Sequence, residues 1–282
     1  MPLVGARDLG GTVTEPAVND DWFPTGIDIS VPSIARVYDV LLGGKDNFPS
    51  DRAVADAMLA VSPGVGVATR SHRALLERGV RHLAEQGVDQ FLDIGSGLPT
   101  ARNTHEVVQE VNPSASVVYV DNDPIVLAHG RALLADNHRT TVITADLCDP
   151  DSVLDHPRTR ALIDFDRPVG LVLLGIVHHL GDDQNPQELV RRYRDALASG
   201  SHLFLSHFIN DGPYSVELEK VMLAELGTGR FRTWQELAVF FGDFEMIEPG
   251  LTFQQCWRPE EVLPDPLPIE MRIGAAGMGR KP

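Results

Sequence analysis

A chain of 282 residues with 43% hydrophobic and 23% charged residues has the make-up of a globular protein with a large core, as one domain with additions or two small ones. Its 40 acidic and 24 basic residues leave a formal charge of −16, which repels a phosphate backbone and argues against nucleic acid as a partner. Two cysteines without metal-ligand spacing argue against a disulfide framework or zinc site, and no apolar run approaches the ~20 residues of a membrane span, so a cytoplasmic protein with no membrane partner is expected.

Residues 1–25 mix Gly, Thr, Asp and Pro without periodicity, carry no basic-then-apolar signal pattern, and read as a loosely docked tail. An amphipathic stretch from Ile34 to Leu42 predicts a helix, with Ser33 as its cap and Gly43-Gly44 as its stop. Lys45-Asp-Asn-Phe-Pro49 is a polar loop, and helix signals resume over residues 51–60 and 69–86. Strands and helices then alternate: strand 91–94, helix 101–111, strand 117–120, helix 125–136, strand 141–144, a weak helix 151–154, strand 169–174, helix 187–197 and strand 202–206. Each strand is an apolar run, which predicts a parallel sheet covered on both faces. Basic residues around 70–81 and 191–194 fall at helical spacing among acids and read as solvated helix faces.

The pattern then changes. A helix is expected over residues 214–226, and another from Thr233 with a capping box to Glu236. Strands 244–247 and 251–257, joined by Glu248-Pro-Gly250, should close the sheet as an antiparallel hairpin. The fold class is α/β: a doubly wound, seven-stranded, mostly parallel sheet with an N-terminal helical extension. Residues 1–70 would form the tail and a helical lid, and residues 71–282 the ligand-binding domain.

In such a sheet, ligands sit beyond the carboxyl ends of the strands, where the strand order reverses. The first strand runs into Asp93-Ile-Gly-Ser-Gly97. Glycines permit a tight turn and close backbone approach, and an acid at the strand tip offers acceptors to a cationic or hydroxylated group. A pyrophosphate cofactor wants a third glycine three positions later, where Thr100 stands after a proline. The loop therefore points to S-adenosylmethionine, whose methionine end carries an ammonium for Asp93, Gly95, Ser96 and Gly97 to hold.

The later strand tips fit the same ligand. Asp121, followed by Asn122, stands 24 residues after Gly97, a spacing suited to an acid that accepts both ribose hydroxyls. After the third strand, Asp146 can accept from the adenine amino group while Leu147 packs on the ring. After the fourth, Gly175-Ile-Val-His-His-Leu180 places Gly175 towards the methyl end. Any one of these acids is equally well explained as a helix cap or turn residue. Four motifs in register after four successive strands favour a site.

This order of motifs resembles the class I, Rossmann-like S-adenosylmethionine-dependent methyltransferase fold over residues 73–257. A closer resemblance, spanning almost the whole chain, is to an actinobacterial S-adenosyl methyltransferase family that was long a domain of unknown function. It is carried by Ser33-Ile-Ala-Arg-Val-Tyr-Asp-Val-Leu-Leu-Gly-Gly-Lys-Asp-Asn47, by Phe91-Leu-Asp-Ile-Gly-Ser-Gly-Leu-Pro-Thr100 and by Val120-Asp-Asn-Asp-Pro124. The family implies the fold and the cofactor, with S-adenosylhomocysteine as product, and no particular acceptor. Leu98-Pro99 replaces the third small residue of the wider class's glycine loop.

The polar group around Gly43-Gly44 reads as either a surface helix and turn or a lid hinged at the glycines, with Tyr38, Lys45 or Asn47 contacting the cofactor. A hydroxyl acceptor would need a base, for which His178 and His179 are placed; His105 and His207 are weaker alternatives. Tyr214, Met222, Phe231 and Trp234 would form an acceptor wall, or else core or dimer contacts, and a homodimer stays open. The expected function is a methyltransferase acting on an unidentified small-molecule acceptor. The alternatives are a module that senses the cofactor or its product without turnover, and a nicotinamide-dependent oxidoreductase, which the missing third glycine disfavours.

Overall fold

The computed structural model describes residues 28–100, 102–133 and 137–282, so the tail expected over residues 1–25 lies outside the described residues, as do Ala101 and residues 134–136 of two expected helices. Helices α1 (Ile34–Leu42), α2 (Pro49–Val61) and α3 (Val65–Glu85) precede the sheet. The alternating part follows as β1 (Gln90–Ile94), α4 (Thr104–Val111), β2 (Ser116–Asp121), α5 (Pro124–Leu133), β3 (Thr140–Thr144), α6 (Pro150–Leu154), α7 (Pro157–Leu162), β4 (Gly170–Leu174), α8 (Pro186–Asp195) and β5 (His202–Phe208). The chain ends through α9 (Pro213–Leu226), α10 (Trp234–Val239), β6 (Glu245–Met246), β7 (Thr252–Phe253) and β8 (Gly274–Arg280).

Successive strand residues point to opposite faces, and the apolar runs fill both. Phe91, Val117, Tyr119 and Val172 pack with Leu75, Val80 and Leu83 of α3 and Val107 of α4. Leu92, Val118, Leu171 and Leu173 pack with Tyr193 of α8 and Leu237 of α10. The strand order is β3-β2-β1-β4-β5-β8-β6, with β1 to β5 parallel and β7 also paired to β8. The order reverses between β1 and β4, which opens a crevice above their carboxyl ends.

The sheet does not close as the expected hairpin. The short strands β6 and β7 do not pair with each other; both run antiparallel to β8, which lies between them and β5. β8 was missed because its sequence, Gly-Ala-Ala-Gly-Met-Gly-Arg, has no branched apolar pattern. The reason is steric: a Cβ at Gly277 would lie 3.0 Å from the Phe241 ring and one at Gly279 3.1 Å from the same ring and 3.0 Å from the Phe244 Cβ, so these side chains pack on bare backbone. α7 also falls where the pattern shows no element.

The N-terminal helices are integral to the packing. Val37 and Leu41 of α1 and Val54 and Met58 of α2 share one cluster with Leu218 and Met222 of α9. A buried ion pair joins Arg36 Nε to Asp51 Oδ2 at 2.8 Å, and the Asp51 carboxylate also accepts from the Ser33 and Phe48 N–H groups. Ser33 is the N-cap residue of α1, but its hydroxyl does not cap; it donates to Asp123 Oδ2 at 2.5 Å, tying α1 to the loop after β2. α3 runs unbroken across residue 70. Among the described residues, no helix is long and apolar enough to cross a membrane.

Candidate active site

The crevice holds a cavity of about 610 Å³, bounded by residues 31–38 on one side and by the tips of β1, β2, β4 and β5 on the other. Its first wall is the turn after β1. Gly95 and Gly97 have φ of +74° and +66°, the left-handed region that costs a side-chain-bearing residue strain. A Cβ at Gly95 would lie 2.5 Å from Ile176, so this glycine lets the turn seat against the loop after β4. A Cβ at Gly97 would meet no atom within 4 Å, and Gly97 lines the cavity: its bare backbone faces space left for a ligand.

Asp93 lines the same cavity at 6% exposure, its Oδ2 accepting from the Thr104 hydroxyl at 2.7 Å. Burial pushes its carboxyl up to about 6, against the Thr104 bond and the Arg73 charge, which pull it down. A buried acid with one side-chain partner is suited to an incoming cation. Asp121 stands beside it, its Oδ2 accepting from the Gly97 N–H and its Oδ1 from the Asp123 N–H, both at 2.9 Å. Burial raises its carboxyl as well. Ser96, Asn122 and Asp123 also line the cavity. The bare glycine backbone, the buried Asp93 and the Asp121–Asp123 edge together suit an ammonium-bearing nucleoside ligand.

The other sequence candidates divide. Tyr38 and Gly175 line the cavity; Lys45, Asn47, Asp146 and Leu147 do not. Lys45 is exposed, and Asn47 serves its own turn: its amide donates to Asp39 Oδ2 at 2.9 Å while its oxygen accepts from Arg52. Gly43 closes α1 in the left-handed conformation, and a Cβ at Gly44 would lie 1.9 Å from Asp39 Oδ1, so the glycine pair forms a packed helix end. Asp146 is exposed at the tip of β3 and accepts from the Cys148 N–H, while Leu147 is buried in the core. Of the four expected wall residues only Met222 lines the cavity. Phe231 stacks on Phe208 in the core, Trp234 packs edge-on against Phe253, and the Tyr214 hydroxyl accepts from the Gly64 N–H.

Beyond the tips of β4 and β5 the cavity is lined by histidines: His72, His178, His179 and His207. Burial holds all four below the ordinary imidazole range, His72 and His179 at about 4, His207 at about 3 and His178 well below. His207 has both nitrogens engaged: Nδ1 lies 2.6 Å from the Phe208 carbonyl, which fixes the proton there, and Nε2 accepts from Arg232 at 3.0 Å. His72 bridges the Tyr38 hydroxyl, 3.0 Å from Nδ1, and Ser206 Oγ, 2.7 Å from Nε2; Ser206 in turn accepts from the Gly175 N–H at 2.9 Å. His179 Nδ1 lies 2.9 Å from the Thr228 hydroxyl. His178, 5% exposed, has a buried Nδ1 with no hydrogen-bond partner. His105 lies outside this cavity, bonded to the Tyr119 hydroxyl at 2.8 Å. Among the described residues no three such side chains converge as a metal site.

Sequence reasoning missed His72, Arg73 and Thr69, which lie on one face of α3 with Ala68 and Leu76 and all line the cavity. The available signal was polar residues on the inward stripe of an otherwise amphipathic helix.

A family model described as S-adenosyl methyltransferase matches residues 20–282. The crystal structure of a candidate methyltransferase from Thermobifida fusca YX is 52% identical, with 93% of this chain and 99% of that chain covered and a TM-score of 0.89. That of a DUF574 family protein from Streptomyces avermitilis MA-4680 is 39% identical, with 90% and 99% covered and a TM-score of 0.86. No curated protein matches the chain.

Proposed function

The chain belongs to the S-adenosyl methyltransferase family and is an S-adenosylmethionine-dependent enzyme, and from that premise we propose that it methylates a small-molecule acceptor within the cavity described above. Asp93 would take the ammonium of the methionine end, with the Gly95-Ser96-Gly97 backbone against it. Asp121 and Asn122 would take the ribose. Asp146 would meet the adenine amino group: it lies two residues beyond Thr144, which pairs with Asp121 across the β2–β3 register. The segment 28–38, tied down by Ser33 and Asp123, would cover the cofactor and exclude water, with Tyr38 as its inward contact.

When bound, the cofactor supplies a methyl group on a sulfonium, already activated for displacement. The protein then has to hold the acceptor in line and remove a proton if the nucleophile is a hydroxyl. His178 and His179 line the cavity just past Gly175, and we assign His178 as the base because the Thr228 hydroxyl engages His179 Nδ1 and His207 is committed at both nitrogens.

The observation that carries the reading is the convergence of Asp93, Gly97 and Asp121 on one cavity. Calorimetric titration with S-adenosylmethionine, S-adenosylhomocysteine and NAD tests it. Both adenosyl compounds should bind and NAD should not, and Asp121→Ala should cost about 1.5–3 kcal/mol of binding, the worth of a charge-assisted hydrogen bond. Preference for NAD, or an unaffected Asp121→Ala variant, would refute the assignment.

A further inference from the structure

The acceptor end of the cavity differs in kind from the cofactor end. The charged residues that line the cavity are Asp28, Arg36, Arg73, Asp93, Asp121 and Asp123, all from residues 28–36, the inner face of α3, or the tips of β1 and β2. None comes from α2, from α9, or from the loops after β4 and β5. There the apolar lining is Met58, Phe208, Met222 and Leu226, which pack in one cluster, beside His178, His179, Ser206 and His207. His178 adjoins that cluster, its ring centroid 4.5 Å from that of Phe208. The nearby Arg232 is buried behind His207 and compensated by Asp182 at 3.0 Å and the Leu180 carbonyl. The protein therefore offers a charged acceptor no counter-ion at this end. A cation would be buried uncompensated beside the sulfonium, and an anion would have only the sulfonium itself, which S-adenosylhomocysteine lacks.

Resting on the methyltransferase reading of this cavity, we propose that the acceptor is an uncharged, apolar-bodied molecule with an acidic hydroxyl, a phenol or enol, its body against Met58, Phe208, Met222 and Leu226 and its hydroxyl against His178. The hydroxyl meets the imidazole where it lines the cavity, since Nδ1 itself is buried. In the transfer, the O–H proton passes to the imidazole, the oxygen lone pair forms the bond to the methyl carbon, and the broken S–C pair stays on sulfur. The positive charge moves from the sulfonium to His178, which releases the proton to water. A neutral imidazole well below its ordinary range is a weak base, matched to a phenol better than to an alkanol.

Three probes with one body test this on protein saturated with S-adenosylhomocysteine: 2-naphthol, 2-naphthoate and 2-naphthylmethylammonium, titrated calorimetrically. Naphthol should bind at least about tenfold more tightly than either ion, since an uncompensated buried charge is costly. His178→Phe should weaken naphthol about tenfold, the loss of one hydrogen bond, while leaving the S-adenosylhomocysteine affinity unchanged. Equal or tighter binding of either ion, or no naphthol binding to protein that holds S-adenosylhomocysteine, would overturn the proposal and leave the cofactor assignment standing. Failure of S-adenosylhomocysteine itself to bind would overturn both.

Discussion

Asp93 couples cofactor binding to pH in a direction that follows from its burial. Its carboxyl is pushed up to about 6 in the free protein from an ordinary value of 3.8. At pH 7 about nine in ten copies are ionised, and at pH 5 about one in ten. If only the ionised form engages the ammonium, affinity is at its plateau above pH 7 and falls about tenfold by pH 5, with about half a proton released on binding at pH 6. Titrating S-adenosylhomocysteine across this range, in buffers of different ionisation enthalpy, reads both quantities.

Stability should respond in the opposite sense. Because the folded value is raised, the stability that Asp93 contributes is fully present below 3.8 and is lost as pH rises through 6. Holding the ion in place at pH 8 costs about 3 kcal/mol. Asp93→Asn should therefore unfold at higher urea than wild type at pH 8, yet bind cofactor at least about tenfold more weakly. A flat affinity between pH 7.5 and 5, or the same slope in the Asn variant, would refute the role given to Asp93.

Three further outcomes are expected. Gly97→Ala should lose only about 1–2 kcal/mol of stability, from its left-handed φ, but bind cofactor far more weakly because the added methyl faces the ligand space. Gly95→Ala adds a clash with Ile176 worth a further ~1–3 kcal/mol, and urea unfolding beside calorimetry separates the two variants. Arg36→Ala leaves Asp51 buried and unpaired, and equilibrium denaturation should register a loss of about 3–5 kcal/mol. Ser33→Ala removes the bond to Asp123 at about 1 kcal/mol or less; stopped-flow should show faster cofactor release, and an unchanged rate would mean that residues 28–38 do not cover the ligand.

What was legible in the sequence was whatever leaves a periodic or local mark. The apolar runs of β1 to β5 stand out because both faces of a parallel strand are buried, and Asp93, Gly95, Gly97 and Asp121 stand out because each lies at or just past the carboxyl end of a strand. β8 left no mark, since its residues are small for the sake of Phe241 and Phe244, which are distant in sequence. The polar group in and after α1 was legible as unusual but not in its use: Asp39, Asn47 and Arg52 bond to one another around a turn, while Arg36 and Tyr38 reach the cavity. His72 meets Ser206 across 134 residues of chain, a pairing that only the fold creates.

The position of β8 also sets an order in time. A chain emerging from the ribosome presents β1 to β5 first, and β5 then has a bare edge along Leu203, Phe204 and Leu205 until residues 274–280 arrive to cover it. β6 and β7 appear earlier but have no strand to join, because both dock on β8. The nascent domain therefore carries an open, apolar strand edge through the synthesis of some sixty-five residues, from Ile209 to Ile273. Slow translation or chaperone holding over that interval would govern how much of it escapes aggregation.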